Sequence, residues 1–118
     1  MAGEGEERTI PVFFYRTKAG NEPVRDWLRE LDAADRQVIG LDLLRVQTQW
    51  PIGMPVCRSL GGGLWEVRST LPSRRIARVL FFMDDGEIYV VHGFIKKSQA
   101  TPAADLDLAR ARMKEVKP

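Results

Sequence analysis

Three stretches in the second half of the chain decide the fold: Leu-Trp-Glu-Val-Arg-Ser-Thr (64–70), Ile-Ala-Arg-Val-Leu-Phe-Phe (76–82) and Ile-Tyr-Val-Val-His-Gly-Phe-Ile-Lys-Lys (88–97). They are rich in β-branched and aromatic residues, which favours strands. The pair Asp85-Gly86 separates the second stretch from the third and is typical of a type I′ hairpin turn. We therefore expect three consecutive strands joined in an antiparallel sheet.

Several basic residues lie on these predicted strands. Side chains in a strand point alternately to opposite faces, so Arg68 shares a face with Glu66, and Lys96 shares one with His92. Simple pairing of the strands then brings Arg68, Arg78, His92 and Lys96 to one sheet surface. Clustered cations on a sheet suggest a phosphate-bearing partner.

The remaining segments complete an α+β domain. They are a strand at residues 9–17 with Pro11 favouring a sheet edge, a helix from Asn21, a helix from Asp32 to Trp50, a loop at 51–63 and a last helix opened by Thr101-Pro102. The predicted order is β-α-α-β-β-β-α. We expect an antiparallel sheet of about four strands with the two N-terminal helices and the C-terminal helix on one side.

Length and composition indicate one domain, at residues 9–118, after a disordered acidic tail at 1–8. Cys57 is the only cysteine, so no internal disulfide forms, and one His with one Cys is too few for a zinc cage. We expect no metal and no cofactor. No apolar run approaches the roughly 18 residues of a membrane span, and no signal-peptide pattern opens the chain, which favours a cytoplasmic protein without membrane contact.

The positive charge is concentrated in the predicted strands. The net charge is +2, yet residues 58–97 hold seven Lys and Arg against four Asp and Glu. An anionic ligand would be steered to this region.

Three strings together resemble a known family: Gly-Leu-Trp-Glu-Val-Arg (63–68), Ala-Arg-Val-Leu-Phe-Phe (77–82) and His-Gly-Phe-Ile-Lys-Lys-Ser-Gln-Ala-Thr-Pro (92–102). The chain resembles the phage-derived Gp49-like group of HigB toxins, in the RelE/ParE toxin superfamily. Two features depart from the family pattern. Arg75-Ile76-Ala77 stands where members often have an aromatic residue before Arg78, and the C-terminal tyrosine of some RelE enzymes is absent.

This resemblance implies a RelE-like fold and a toxin of a type II toxin-antitoxin system. The implied activity is that of a ribosome-dependent mRNA endonuclease (mRNA interferase) that inhibits translation. The implied partners are the ribosome with its mRNA and a HigA-like helix-turn-helix antitoxin. The basic positions of the family pattern fall on Arg68, Arg78, Lys96 and Lys97.

Metal-independent RNA cleavage through the 2′-hydroxyl requires proton removal, stabilisation of the phosphorane charge and protonation of the leaving oxygen. A guanidinium donates two hydrogen bonds to a phosphate, so we assign Arg68 and Arg78 to that task as a hypothesis. Lys96 and Lys97 would hold the flanking backbone. His92 is the natural general acid or base, and Glu66 is the second candidate for the base.

Each candidate also has an ordinary structural interpretation. The arginine at position 68 could simply pair with Glu66, the histidine could be a packed core residue, and the two lysines could be a solvated strand end. Arg74 and Arg75 are either solubility charges in a turn or rim contacts to RNA.

Two other functions stay open. One is a ParE-like toxin that inhibits gyrase by binding, without nuclease chemistry. The other is a degenerate phage-derived module that only binds RNA or its partner.

Overall fold

A computed structural model describes residues 9–97 and 100–117 of the chain. Its elements in chain order are β1 (Val12–Phe14), α1 (Pro23–Glu30), α2 (Ala33–Gln49), β2 (Cys57–Gly61), β3 (Leu64–Thr70), β4 (Ile76–Asp84), β5 (Glu87–Ile95) and α3 (Ala103–Val116). The α+β class is as predicted. The acidic tail expected at residues 1–8 lies outside the described residues.

The sheet has five strands in the order β1-β5-β4-β3-β2. The prediction of about four antiparallel strands was wrong in two respects. A short strand, β2, lies in the segment assigned to a loop, and β1 pairs with β5 in parallel, with Val12 beside Ile88. Gly61, the last residue of β2, and the two glycines after it all adopt positive φ angles in the tight turn to β3. A run of three glycines is typical of a loop, so the strand before it was not predicted.

The edge position of β1 agrees with the prediction from Pro11. This proline has no backbone N–H to donate, but its carbonyl accepts a hydrogen bond from Ile88 N at 2.9 Å. The hairpin at Asp85-Gly86 is also confirmed, because both residues have positive φ angles (52° and 76°) between β4 and β5.

Helices cover both faces of the sheet, which corrects the expectation that they would share one side. Helices α1 and α2 pack on the face that carries Val67 and Phe81, and the predicted stripe of α2 is buried there at Ile39 and Val46. Helix α3 packs on the opposite face through Ala109. Residues on both faces of β4 are buried, which explains its nearly continuous apolar sequence.

The sheet face beneath α3 is the face predicted to collect the cations. Arg68 lies directly opposite Arg78, and Leu80 lies opposite His92. No helix among the described residues is long and apolar enough to cross a membrane.

Gly93 should be intolerant of any side chain, because a Cβ there would lie 2.5 Å from Cζ3 of Trp27 on α1. We expect Gly93→Ala to lower the free energy of unfolding by about 1–3 kcal/mol through overpacking. Gly40→Ala, in α2, is the matched control, since a Cβ at that position would contact nothing beyond its own helix backbone within 4 Å. That change should stabilise the protein by about 0.5–1 kcal/mol. Urea denaturation compares the two, and equal stability of both variants would contradict the packing argument.

Candidate functional site

Two arginines face each other across neighbouring strands at the centre of the site. Arg68 N–H donates to Val56 O at 2.9 Å, on the side of β2, so its pairing with Arg78 on β4 is not hydrogen-bonded. Cα atoms in such a pair are only about 4.5 Å apart, and like charges placed directly opposite destabilise a sheet. The pair therefore needs a neighbouring negative charge.

Glu66 supplies that charge from the same face of β3. Arg78 Nη1 donates to its Oε2 atom at 3.3 Å, Thr101 Oγ1 donates to the same atom at 2.7 Å, and Arg58 Nη2 lies 3.4 Å from Oε1. Glu66 and Arg78 are each only 3% exposed. A buried carboxylate thus fixes the Arg78 guanidinium from the middle of the sheet.

A small depression opens above this network. It has a volume of about 50 Å³ and is lined by the segment Met54–Val56 together with Arg58, Glu66, Arg68 and Arg78. A cavity needs roughly 10–15 Å³ to hold one water, so a few polar atoms fit here. Arg68 is exposed and the Arg58 side chain is 42% exposed, so both can reach a ligand from solvent.

Lys96 follows directly after β5, the strand that pairs with β4. Its backbone N–H donates to Ile76 O at 2.7 Å, which holds it beside the start of β4. Partial burial lowers the pKa of Lys96 below its ordinary value, and the charges of Arg68 and Arg78 lower it further. Lys96 therefore belongs to the same positive cluster, as expected from the sequence.

His92 lies on the same face but outside the depression. Its Nε2–H donates to Asp105 Oδ1 on α3 at 2.6 Å, and its ring stacks on Phe94 with 5.5 Å between centroids. The side chain is 13% exposed. The structure thus brings Arg68, Arg78 and Glu66 together and leaves His92 beneath α3.

The other predicted contacts lie further away. Lys97 is exposed and lines a separate groove with Trp27 and Asp105. Arg74 and Arg75 are in the turn between β3 and β4, as predicted.

Arg75 connects this turn to α2 through Asp35, whose Oδ2 atom lies 3.4 Å from Arg75 Nη2. Burial alone would raise the pKa of Asp35. Hydrogen bonds from Ser73 and the contact with Arg75 outweigh that effect, so the pKa lies below its usual value. Arg75 thus has a structural partner of its own.

Two residues of the network were missed from the sequence. Arg58 lies opposite Glu66 in the pairing of β2 with β3, and recognising β2 as a strand would have revealed it. Thr101 was assigned to the start of α3, but its hydroxyl donates to Glu66, and Pro102 holds the N-cap position.

The thiol of Cys57 is poorly suited to act as a nucleophile. Cys57 is 1% exposed, and burial raises the pKa of its thiol to about 11. Across residues 9–97 and 100–117, no group of three or more His, Cys, Asp or Glu side chains could hold a metal ion.

Comparison with known proteins identifies the family. The model of the family "Phage derived protein Gp49-like (DUF891)" matches residues 26–114, which is most of the chain. The chain belongs to this family. Gp49-like proteins are phage-derived relatives of the toxins of toxin-antitoxin systems, which fits a toxin function and makes an antitoxin partner plausible. No curated protein matches the chain significantly.

The Glu66 network should contribute strongly to the stability of this Gp49-like protein. Glu66→Gln removes the buried negative charge that Arg78 contacts, and we expect a loss of about 3–5 kcal/mol in the free energy of unfolding. Thr101→Val removes one donor to the carboxylate and should cost about 1.5–3 kcal/mol.

Asp26→Asn is the control for Glu66→Gln, because the carboxylate of Asp26 also pairs with an arginine (Arg29, 3.3 Å) but is 57% exposed. This variant should unfold like the wild type. Chemical denaturation measures all three variants. A Glu66→Gln protein as stable as the Asp26→Asn protein would show that the buried pair is dispensable.

Proposed function

We propose that this Gp49-like protein is the toxin of a type II toxin-antitoxin system and cleaves mRNA on the ribosome without a metal ion. The observation that carries the proposal is the excess of positive charge around one buried carboxylate. Arg58, Arg68 and Arg78 surround Glu66 at a depression open to solvent. A phosphodiester is an anion that would neutralise this excess.

The two facing arginines have complementary roles in the proposed reaction. Arg78 is held in place by Glu66 and Thr101, so its guanidinium needs no reorganisation when charge develops on the phosphorane. The side chain of Arg68 is exposed and can donate to a phosphate oxygen as the RNA binds. One preorganised donor of this kind is worth about 3 kcal/mol in the transition state. Lys96 and Lys97 would bind phosphates on either side.

His92 is the proposed proton-transfer residue. Asp105 accepts from Nε2–H and fixes the ring orientation, an arrangement that supports general acid or base chemistry at Nδ1. Glu66 is less suited as the base, because three donors already surround its carboxylate.

A toxin of this kind requires an antitoxin, and we propose a helix-turn-helix protein that covers the arginine cluster or prevents entry to the ribosome. The reading frame next to this gene is the first place to search for it.

Arg68→Ala should abolish most cleavage while leaving the fold intact, because Arg68 is exposed whereas Arg78 is buried with Glu66. We expect cleavage to fall about 10²-fold or more. The measurement is induction in a bacterial host with mapping of mRNA 5′ ends by primer extension. Arg29→Ala is the control, since the Arg29 side chain is 69% exposed on α1 and should leave cleavage unchanged.

The other outcomes separate the competing functions. Growth arrest without new 5′ ends would contradict cleavage and would favour a gyrase-inhibiting toxin, which a DNA-damage response would confirm. Absence of arrest, with folded protein present, would favour a module that only binds RNA or its partner.

His92→Gln should retain some activity, because a positioned acid or base contributes about 10²–10⁴-fold to the rate. Glutamine can still donate to Asp105, so the contact with α3 can persist. The measurement is the rate at which cleaved mRNA appears after induction. It is compared between the wild type and the variant at equal expression. Cleavage at the wild-type rate would exclude His92 from the mechanism.

A further inference from the structure

A second, larger depression adjoins the arginine depression along the edge of the sheet. It has a volume of about 570 Å³, and Val38, Asp42 and Arg45 of α2 form one wall. The two depressions share Pro55, Val56 and Arg68. The larger one falls within the range of about 300–1,000 Å³ found for small-molecule sites. An RNA strand with one phosphate bound to Arg68 could therefore place a neighbouring nucleobase in the larger depression.

The polar groups in this second depression are held in a fixed arrangement. Ser69 Oγ donates to Asp42 Oδ2 at 2.6 Å, and Arg45 Nη1 lies 3.4 Å from Asp42 Oδ1. The side chain of Asp42 is only 15% exposed, whereas that of Arg45 is 50% exposed. An ionised carboxylate has about four acceptor positions, so these two contacts leave capacity for a ligand. The pair offers a guanidinium donor beside a carboxylate acceptor.

Among the four RNA bases, guanine has the edge that complements this arrangement. Its Watson–Crick edge presents an acceptor, O6, followed by two donors, N1–H and the N2 amino group. A carboxylate can accept from both donors while a guanidinium donates to O6. Adenine, cytosine and uracil each place at least one acceptor opposite the carboxylate, which is unfavourable. Single-stranded RNA is read in this way, through the exposed edges of unstacked bases.

We propose that Asp42 and Arg45 form a guanine-binding subsite next to the phosphate held by Arg68. The apolar side chains of Val38, Pro55 and Val56 contact the face of the base. This inference rests on the proposed function and adds sequence preference to it. Asp42 and Arg45 determine which base lies beside the cleaved bond.

A surface ion pair with no function is the competing interpretation, and α1 contains one for comparison. Asp26 and Arg29 have the same spacing and a similar distance, 3.3 Å, but their side chains are 57% and 69% exposed. Asp42 differs in its burial, in its bond to Ser69 and in its position beside a depression. Asp26→Asn is therefore a matched control.

The test is the base composition at cleavage sites, mapped across all messages after induction. The wild type should show guanine enriched about tenfold at one position beside the cut, because a good bidentate contact discriminates by about 1–3 kcal/mol. Asp42→Asn should reduce the guanine enrichment about tenfold, since the amide has a single acceptor oxygen and cannot accept from both N1–H and the N2 amino group. Arg45→Ala keeps the bond to Ser69 intact and should reduce the guanine enrichment about tenfold.

Asp26→Asn should leave the wild-type pattern unchanged. Cleavage without guanine enrichment, or with an enrichment that neither Asp42→Asn nor Arg45→Ala alters, would overturn the subsite while leaving the nuclease function standing. Absence of cleavage by the wild type would overturn both proposals together. Thermal unfolding of Asp42→Asn shows whether its loss of charge affects the fold, and Arg45→Ala tests the same subsite from an exposed position.

Discussion

The buried carboxylate of Glu66 is the constraint on which the arrangement of this sheet face depends. Two arginines directly opposite each other on β3 and β4 would repel, and burial of Arg78 would be costly without an anion. Glu66, two residues before Arg68 on the same face, reduces both the repulsion between the arginines and the cost of burying Arg78. The same carboxylate also accepts the hydroxyl of Thr101, so the segment leading into α3 is attached to the charged cluster.

Helix α3 is consequently part of the site as well as part of the core. Thr101, just before the helix, contacts Glu66. Asp105, in the first turn of α3, accepts a hydrogen bond from His92. Further along the helix, Arg110 donates to the carbonyl of Leu60 in β2 at 3.0 Å. These contacts place α3 across the sheet from β5 to β2. Any partner that moved this helix would therefore disturb the orientation of His92 and the anchoring of Arg78 together.

The sequence was sufficient for the parts of the fold that local patterns control. Three local patterns each predicted a feature that the structure contains. They are the spacing of two residues that puts Glu66 and Arg68 on one face of β3, the Asp85-Gly86 turn, and the apolar stripe of α2. The missing parts depend on long-range pairing. Strand β2 has a short sequence with serine and glycine, and its stability comes from pairing with β3. The side of the sheet that each helix covers is likewise set by tertiary packing, which no local pattern encodes.

Part of the candidate site was also predictable from local patterns. Arg68, Arg78 and Glu66 lie on predicted strands, so side-chain alternation was enough to bring them together. Arg58 could not be included without β2, and the contact between Thr101 and Glu66 joins residues 35 positions apart. His92 lies on the predicted face, but it is paired with Leu80 rather than with Arg78, and its contact with Asp105 depends on α3, whose side of the sheet was predicted wrongly.

Asp35, another buried carboxylate of the described residues, is a useful comparison for Glu66. Asp35 has one arginine partner, Arg75, and a hydrogen bond from the backbone of Ser73, so its charge is balanced within the turn it supports. Glu66 has three neighbouring arginines for one negative charge, and two of these, Arg58 and Arg68, extend into solvent. An ion-pair network that served only stability would not need more arginines than carboxylates. This surplus of positive charge is the structural basis of the proposed binding of an RNA phosphate at Glu66 and its arginines.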